Sequence, residues 1–188
     1  MNRTMDDAAF VEAHHPFFYR VLTSFRYFES GIPFGNLVLE CKLIQTMALN
    51  SEEQEKIVHA INVAENETSG EIRVVVENHC PDEVHDRATH YFSKLGMHKT
   101  TLKNGVLIYI ALEDHKFSII GDKGIHQRVE SDFWNSTKDL MVAEFRVDRI
   151  VEGLVKGIEH AGKQLAKFFP REHDDINELP NDIVFGDR

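Results

Sequence analysis

The chain has 188 residues, with 31 acidic against 21 basic side chains and a formal net charge of −10. That length suits one domain, alone or with an appendage, and a substantial core. The acidic balance, with no basic stripe in it, excludes a nucleic-acid binder. Two cysteines, Cys41 and Cys80, are too few for a disulfide framework and point to a reducing compartment. No apolar stretch approaches the about 20 residues of a membrane helix. Asp6, Asp7 and Glu12 stand where a secretion signal carries its basic region. A cytoplasmic protein without direct membrane insertion is expected.

Residues 1–46 are rich in aromatics, among them Phe10, Phe17, Phe18, Tyr19 and Phe25, but hold no sustained period. They read as a poorly ordered extension, and the expected start of translation in the cell is Met47. Order begins beyond it. Asn50 or Ser51 can cap a helix whose first turn carries Glu52 and Glu53, and Ile57, Ile61 and Ala64 share its apolar face. Glu71 to Glu77 forms a strand around Val74-Val75-Val76. After a turn at His79-Cys80-Pro81-Asp82, Val84, Ala88, Tyr91, Phe92 and Leu95 are spaced for a second amphipathic helix.

Val106 to Leu112 is an unbroken apolar run too short for an ordinary helix, and reads as a central strand buried on both faces. With the preceding strand and helix it makes a βαβ unit, so these two strands are expected to run parallel. Lys116 to Ile120 reads as a short strand antiparallel to the central one. A strand apolar on both faces needs a helical layer on each side. From the turn at residues 121–124 onward, the apolar spacing predicts helix to about Phe169, ended by Pro170. Gly153, Gly157 and Gly162 lie near one side of that last helix, which suits a close approach to the sheet. The domain is therefore placed at residues 47–170, followed by an acidic tail over residues 171–188.

The chemistry-bearing residues are few. His79-Cys80 between a strand and a helix suggests the thiolate loop of a phosphatase. However, Arg87 falls one position too late, and Asp82, Glu83 and Asp86 would repel a phosphate. His79, Cys80, His85 and His90 do not form a zinc motif, because a spacing of five places His85 and His90 on different faces of a helix. Gly121-Asp122-Lys123-Gly124, at the end of a strand and the start of a helix, is the best candidate site. Asp122 with backbone carbonyls suits a hard cation such as Ca²⁺ or Mg²⁺, and Lys123 with the amides of Gly121 and Gly124 suits an anion. The structural alternative is that the glycines permit the turn and Asp122 caps the helix. Glu71, Asp114 and His126 are secondary candidates, with Asp114 at the far end of the same strand.

Three segments, Thr68–Val76, Asn104–Ala111 and Ile119–Ile125, occur in the order and character of the TPM domain family. That family is named for thylakoid lumen phosphatase, photosystem II repair and acetylcholine-receptor modulator proteins. Phe145, Gly153-Leu154 and Gly157-Ile158 resemble its following helical region. The resemblance covers residues 50–170 and implies an α/β fold, a three-layer α/β/α sandwich with a small mixed sheet. It also implies divalent-cation binding and, from the plant branch, acid phosphatase activity. Many bacterial relatives carry a signal peptide and a membrane anchor; this chain resembles a short soluble branch. Where the family turn has an aromatic and a glycine, this chain has Asp122 and Lys123. The function expected from the residues and the resemblance together is a soluble binding or accessory module, with a membrane-anchored protein partner. A metal-assisted phosphatase of phosphomonoesters is the alternative.

Overall fold

The structure, a computed structural model, describes residues 9–12, 49–130 and 132–186, the first of these as backbone alone. Its elements are β1 (Ala9–Glu12), α1 (Ser51–Glu65), β2 (Ile72–Glu77), α2 (Val84–Lys94), a 3₁₀ turn (Met97–Lys99), β3 (Val106–Ala111) and β4 (Lys116–Gly121). They continue with α3 (Lys123–His126), α4 (Asn135–Phe145), α5 (Ile150–Leu165) and β5 (Val184–Phe185). The sheet order is β1-β4-β3-β2-β5. β2 and β3 are parallel, with Ile72 opposite Val106, and β5 runs parallel to β2. β3 and β4 are antiparallel, as are β1 and β4. The sheet is thus mixed, with the apolar run of β3 at its centre and buried throughout.

Residues alternate between the two faces of a strand, and here each face has its own core. Ile72, Val74, Val76, Val106, Ile108, Ile110 and Ile119 meet α1, α4 and α5. Val75, Leu107, Tyr109 and Ile120 meet α2 through Ala88, Tyr91 and Phe92. By the same alternation Arg73 and Glu77 flank Val75 and face α2, so the only charged groups inside β2 share one side. The architecture is the three-layer α/β/α sandwich.

α1 begins with a capping box. Asn50 Oδ1 accepts from Glu53 N at 3.0 Å, and Glu53 Oε2 accepts from Asn50 N at 2.8 Å. The continuous helix expected from residue 125 to Phe169 is broken twice, after α3 and at residues 146–149. At the second break Asp148 adopts a positive φ of 60°, and Arg149 N reaches back to Glu144 O at 3.1 Å. The glycines of α5 lie against helices, not the sheet. A Cβ at Gly162 would sit 2.7 Å from Ala64 Cβ of α1, and one at Gly157 would sit 2.5 Å from Met141 Sδ of α4.

Of the N-terminal stretch only β1 is described; the remainder and the expected start at Met47 lie outside the described residues. Residues 171–186 run back along the domain. Arg73 donates to Pro180 O and pairs with Asp182 at 3.0 Å, and Glu178 accepts from Thr101 N at 3.0 Å. No helix among the described residues is long and apolar enough to cross a membrane.

Candidate functional site

The segments Ser69–Gly70, Asn104–Gly105 and Gly121–Gly124 meet at one edge of the sheet, where β2 and β3 begin and β4 ends. Asp122 N donates to Gly105 O at 2.9 Å, Gly124 N donates to Lys103 O at 2.9 Å, and Asn104 Nδ2 donates to Ser69 O at 2.8 Å. Both glycines of the turn are set by space. A Cβ on Gly121 would press the Trp134 indole at 3.2 Å, and one on Gly124 would overlap the carbonyls of Leu102 and Lys103. Asp122 caps α3, its Oδ1 accepting from Lys123 N at 2.7 Å.

The amides of Gly124, Ile125 and His126 are engaged by Lys103 O and Asp122 O. An anion at this turn would therefore meet the exposed Lys123 side chain, not a row of free N–H groups. His126 is exposed, and Asp114 lies at the opposite end of β4.

Two buried oxygens at this edge stand out. Asp122, 7% exposed, keeps Oδ2 without a hydrogen-bond partner among the described residues, and so does Oδ1 of Asn104, 1% exposed. Leaving such an acceptor dry costs about 1–3 kcal/mol, more when it is charged. A hard divalent cation is the partner that oxygen-only donors suit. The donor chemistry fits such an ion in one carboxylate and one amide oxygen alone, a minority of the six or more oxygens that a Mg²⁺ or Ca²⁺ shell takes. No group of three or more His, Cys, Asp or Glu able to hold a metal occurs among the described residues. In the sequence Asn104 stands only as the first residue of the family segment Asn104–Ala111 and not as a candidate ligand.

At the other end of the parallel pair, the charged side chains are paired. Glu77 takes Arg87 Nε at 2.8 Å, Tyr91 Oη at 2.6 Å and Tyr109 Oη at 2.6 Å. Burial alone would raise its carboxyl, but the bonds from Arg87, Tyr109 and Tyr91 outweigh that and hold it below the ordinary value. Arg87, read above as a misplaced phosphate ligand, is the ion-pair partner of Glu77. Nearby, His79 Nδ1 meets Asp114 Oδ1 at 2.9 Å, and Cys80 N donates to Asp114 Oδ2 at 2.7 Å. The Asp114 bond, and after it the Glu113 charge, raise the imidazole above its ordinary value, and the ring bridges the loops that carry His79 and Asp114. The one sequence sign of the Glu77 network was the polar-apolar-polar alternation Arg73-Val75-Glu77 on one face of β2.

Comparison with solved structures gives BA42 from the psychrophilic bacterium Bizionia argentinensis at 50% identity and a TM-score of 0.72, covering 76% of this chain and 98% of that one. The N-terminal domain of a P. gingivalis protein shares the fold at 17% identity and a TM-score of 0.56, covering 69% of this chain and 85% of that one. Among curated proteins no match is found. The sequence model of the TPM domain matches residues 44–164, which take in α1 to nearly the end of α5 and all three segments gathered at the Asp122 edge, and the chain belongs to the TPM domain family.

Proposed function

We propose that this TPM-domain protein is a soluble, cytoplasmic binding and accessory module. It takes one divalent cation at Asp122 and Asn104 and serves in the maintenance of a membrane-associated protein complex. The observation that carries the cation is the pair of buried oxygens without a hydrogen-bond partner among the described residues, Asp122 Oδ2 and Asn104 Oδ1, on adjoining strand ends. An ion there would relieve the desolvation of both, and would fix the β4–α3 turn against the β3 entry as a docking edge. The binding role, rather than hydrolysis, is supported by how the remaining acids are used. Metal-assisted phosphoryl transfer calls for several carboxylates or histidines converging on one or two ions. Here Glu77 is held by Arg87 and two tyrosines, and Glu71 accepts from Glu178 N at 2.8 Å and Leu179 N at 3.2 Å.

The test is calorimetric titration of Mg²⁺ and Ca²⁺ into the full chain and into Asp122→Asn, which keeps the helix cap, alongside hydrolysis of a generic phosphomonoester. One-site binding that Asp122→Asn abolishes, with turnover no better than in Asp122→Ala, is the expected result. A clear loss of turnover in Asp122→Ala would make the protein a phosphatase instead.

A further inference from the structure

Residues 177–186 lie along the outer edge of β2, held by two buried charged residues, Glu71 just before the strand and Arg73 within it. Glu71 accepts from Glu178 N at 2.8 Å and from Leu179 N at 3.2 Å. Arg73 donates through Nη1 to Pro180 O and through Nη2 to Asp182 Oδ1 at 3.0 Å. Leu179 and Val184 pack on the α2 core. Val184 and Phe185 pair with Val75 and Val76, and Gly186 N donates to Val76 O at 2.9 Å. Gly186 passes so close to β2 that a Cβ there would overlap the Glu77 side chain. Main-chain pairing with side-chain anchors on one face is how a sheet edge takes up an extended peptide.

The resident segment fills that edge incompletely. The Arg73 side chain is 5% exposed, but its partner Asp182 is 70% exposed, and Arg73 Nε has no hydrogen-bond partner among the described residues. A guanidinium presents Nε and Nη2 as a fork for both oxygens of one carboxylate, and Asp182 fills one prong. The ladder takes in two residues of β2, and the segment lies beyond the family match, which ends at residue 164. We infer that the outer edge of β2 is a docking groove for an extended acidic segment of another protein, occupied in cis by residues 177–186. An incoming carboxylate that spans Nε and Nη2 makes the bond Asp182 leaves unmade, and its main chain replaces the resident N–H and C=O groups one for one. Glu71 and Arg73 are then never left buried and bare. The partner carries apolar residues in the places of Leu179 and Val184, an acid in that of Asp182 and glycine in that of Gly186. This names a partner chemistry for the binding role proposed above and rests on that role; no group of the Asp122 edge takes part, so cation binding and docking fail separately.

Hydrogen exchange on the unaltered full chain is the first measurement. The amides of Glu178, Leu179 and Gly186 should exchange through a local opening about a hundredfold or more faster than those of Ile108 and Tyr109 in β3. One common rate would show that the segment leaves only when the whole fold opens, and would overturn the proposal. The second uses a synthetic peptide with the sequence of residues 177–186, capped at both ends. It is titrated in metal-free buffer into the ¹⁵N-labelled full chain and into the same chain carrying Asp182→Asn and Val184→Pro, which weaken the resident segment and leave the groove intact. Saturable shifts over Ile72–Glu77 and in the Arg73 Nε–H signal are expected, with apparent affinity about tenfold or more higher in the variant, where the competitor is removed. Peptides with Asn in the place of Asp182, or Val in that of Gly186, should bind more weakly. Equal affinity for both proteins, no saturable response, or undiminished binding of the Asn peptide would overturn it. So would an unfolded variant, since a segment that the fold requires is not an exchangeable occupant, or a dimer of the unaltered chain that exchanges this segment, which would make a second copy the occupant.

Discussion

Glutamine at position 65 should stabilise this protein, and the gain should appear only as the pH rises. Burial, with the Glu71 charge behind it, pushes the Glu65 carboxyl up to about 7 against an ordinary 4.5. Below 4.5 both folded and unfolded chains hold the proton, and the group is neutral in stability terms. Between 4.5 and about 7 the unfolded chain releases it while the fold retains it, so stability falls as pH rises, and above 7 the full penalty stands. The interval converts to roughly 3 kcal/mol as an upper figure. Glu65→Gln keeps the acceptor for Ile72 N and removes the charge. Urea unfolding of both proteins at pH 4.5 and pH 8 in amine-free buffer measures this. The two should be nearly equal at the lower pH, and the variant should be more stable by about 2–3 kcal/mol at the higher. Titrations elsewhere are common to both proteins and cancel in the difference, apart from Glu71, whose relief acts in the same direction. A stability difference that does not change with pH would refute the assignment of Glu65 as a buried acid.

Three further outcomes follow from the packing and the Glu77 network. Tyr109→Phe removes a donor from Glu77 and should cost about 1.5 kcal/mol or more. Because the Glu77 carboxyl is depressed, its contribution is present above 4.5 and lost as pH falls through the folded value; weakening the depression should move acid unfolding, followed by circular dichroism, to higher pH. Gly162→Ala would ordinarily add about 1 kcal/mol of helix propensity. Its Cβ meets the Ala64 Cα at 3.1 Å as well as its Cβ, and backbone cannot step aside, so thermal melts should show a net loss of about 1–2 kcal/mol from overpacking. Asp122→Ala removes the cap on Lys123 N and should lower stability by about 1 kcal/mol, whereas Asp122→Asn should not.

Much of the fold was legible because its central strand is apolar in both residue parities, a pattern that leaves few alternatives to a sheet covered on two sides. The capping residues before α1 and the heptad-like apolar spacing of α2 were equally local signals. The break between α3 and α4 was hidden because Ile125, Val129 and Phe133 keep a helical spacing through a turn, and all three still pack on the core. The α5 glycines announced a close approach but not its partner, since a small-residue face fits a helix as well as a sheet. At the candidate edge Asp122 was visible as a carboxylate at a strand end. Asn104 was not, because an oxygen becomes significant only when tertiary packing dries it and leaves it without a donor. The same holds for Glu65, whose burial at the end of α1 has no local sequence signal, and for the Glu77 network, whose members come from three different elements.

The most direct test of a cation-binding edge is a crystal structure of the full chain grown in saturating Mg²⁺ or Ca²⁺. An ion in contact with Asp122 Oδ2 and Asn104 Oδ1, its remaining positions filled by water, is the expected result. An ion bound elsewhere while the Asp122 carboxylate stays bare, or no ion at all, would contradict it.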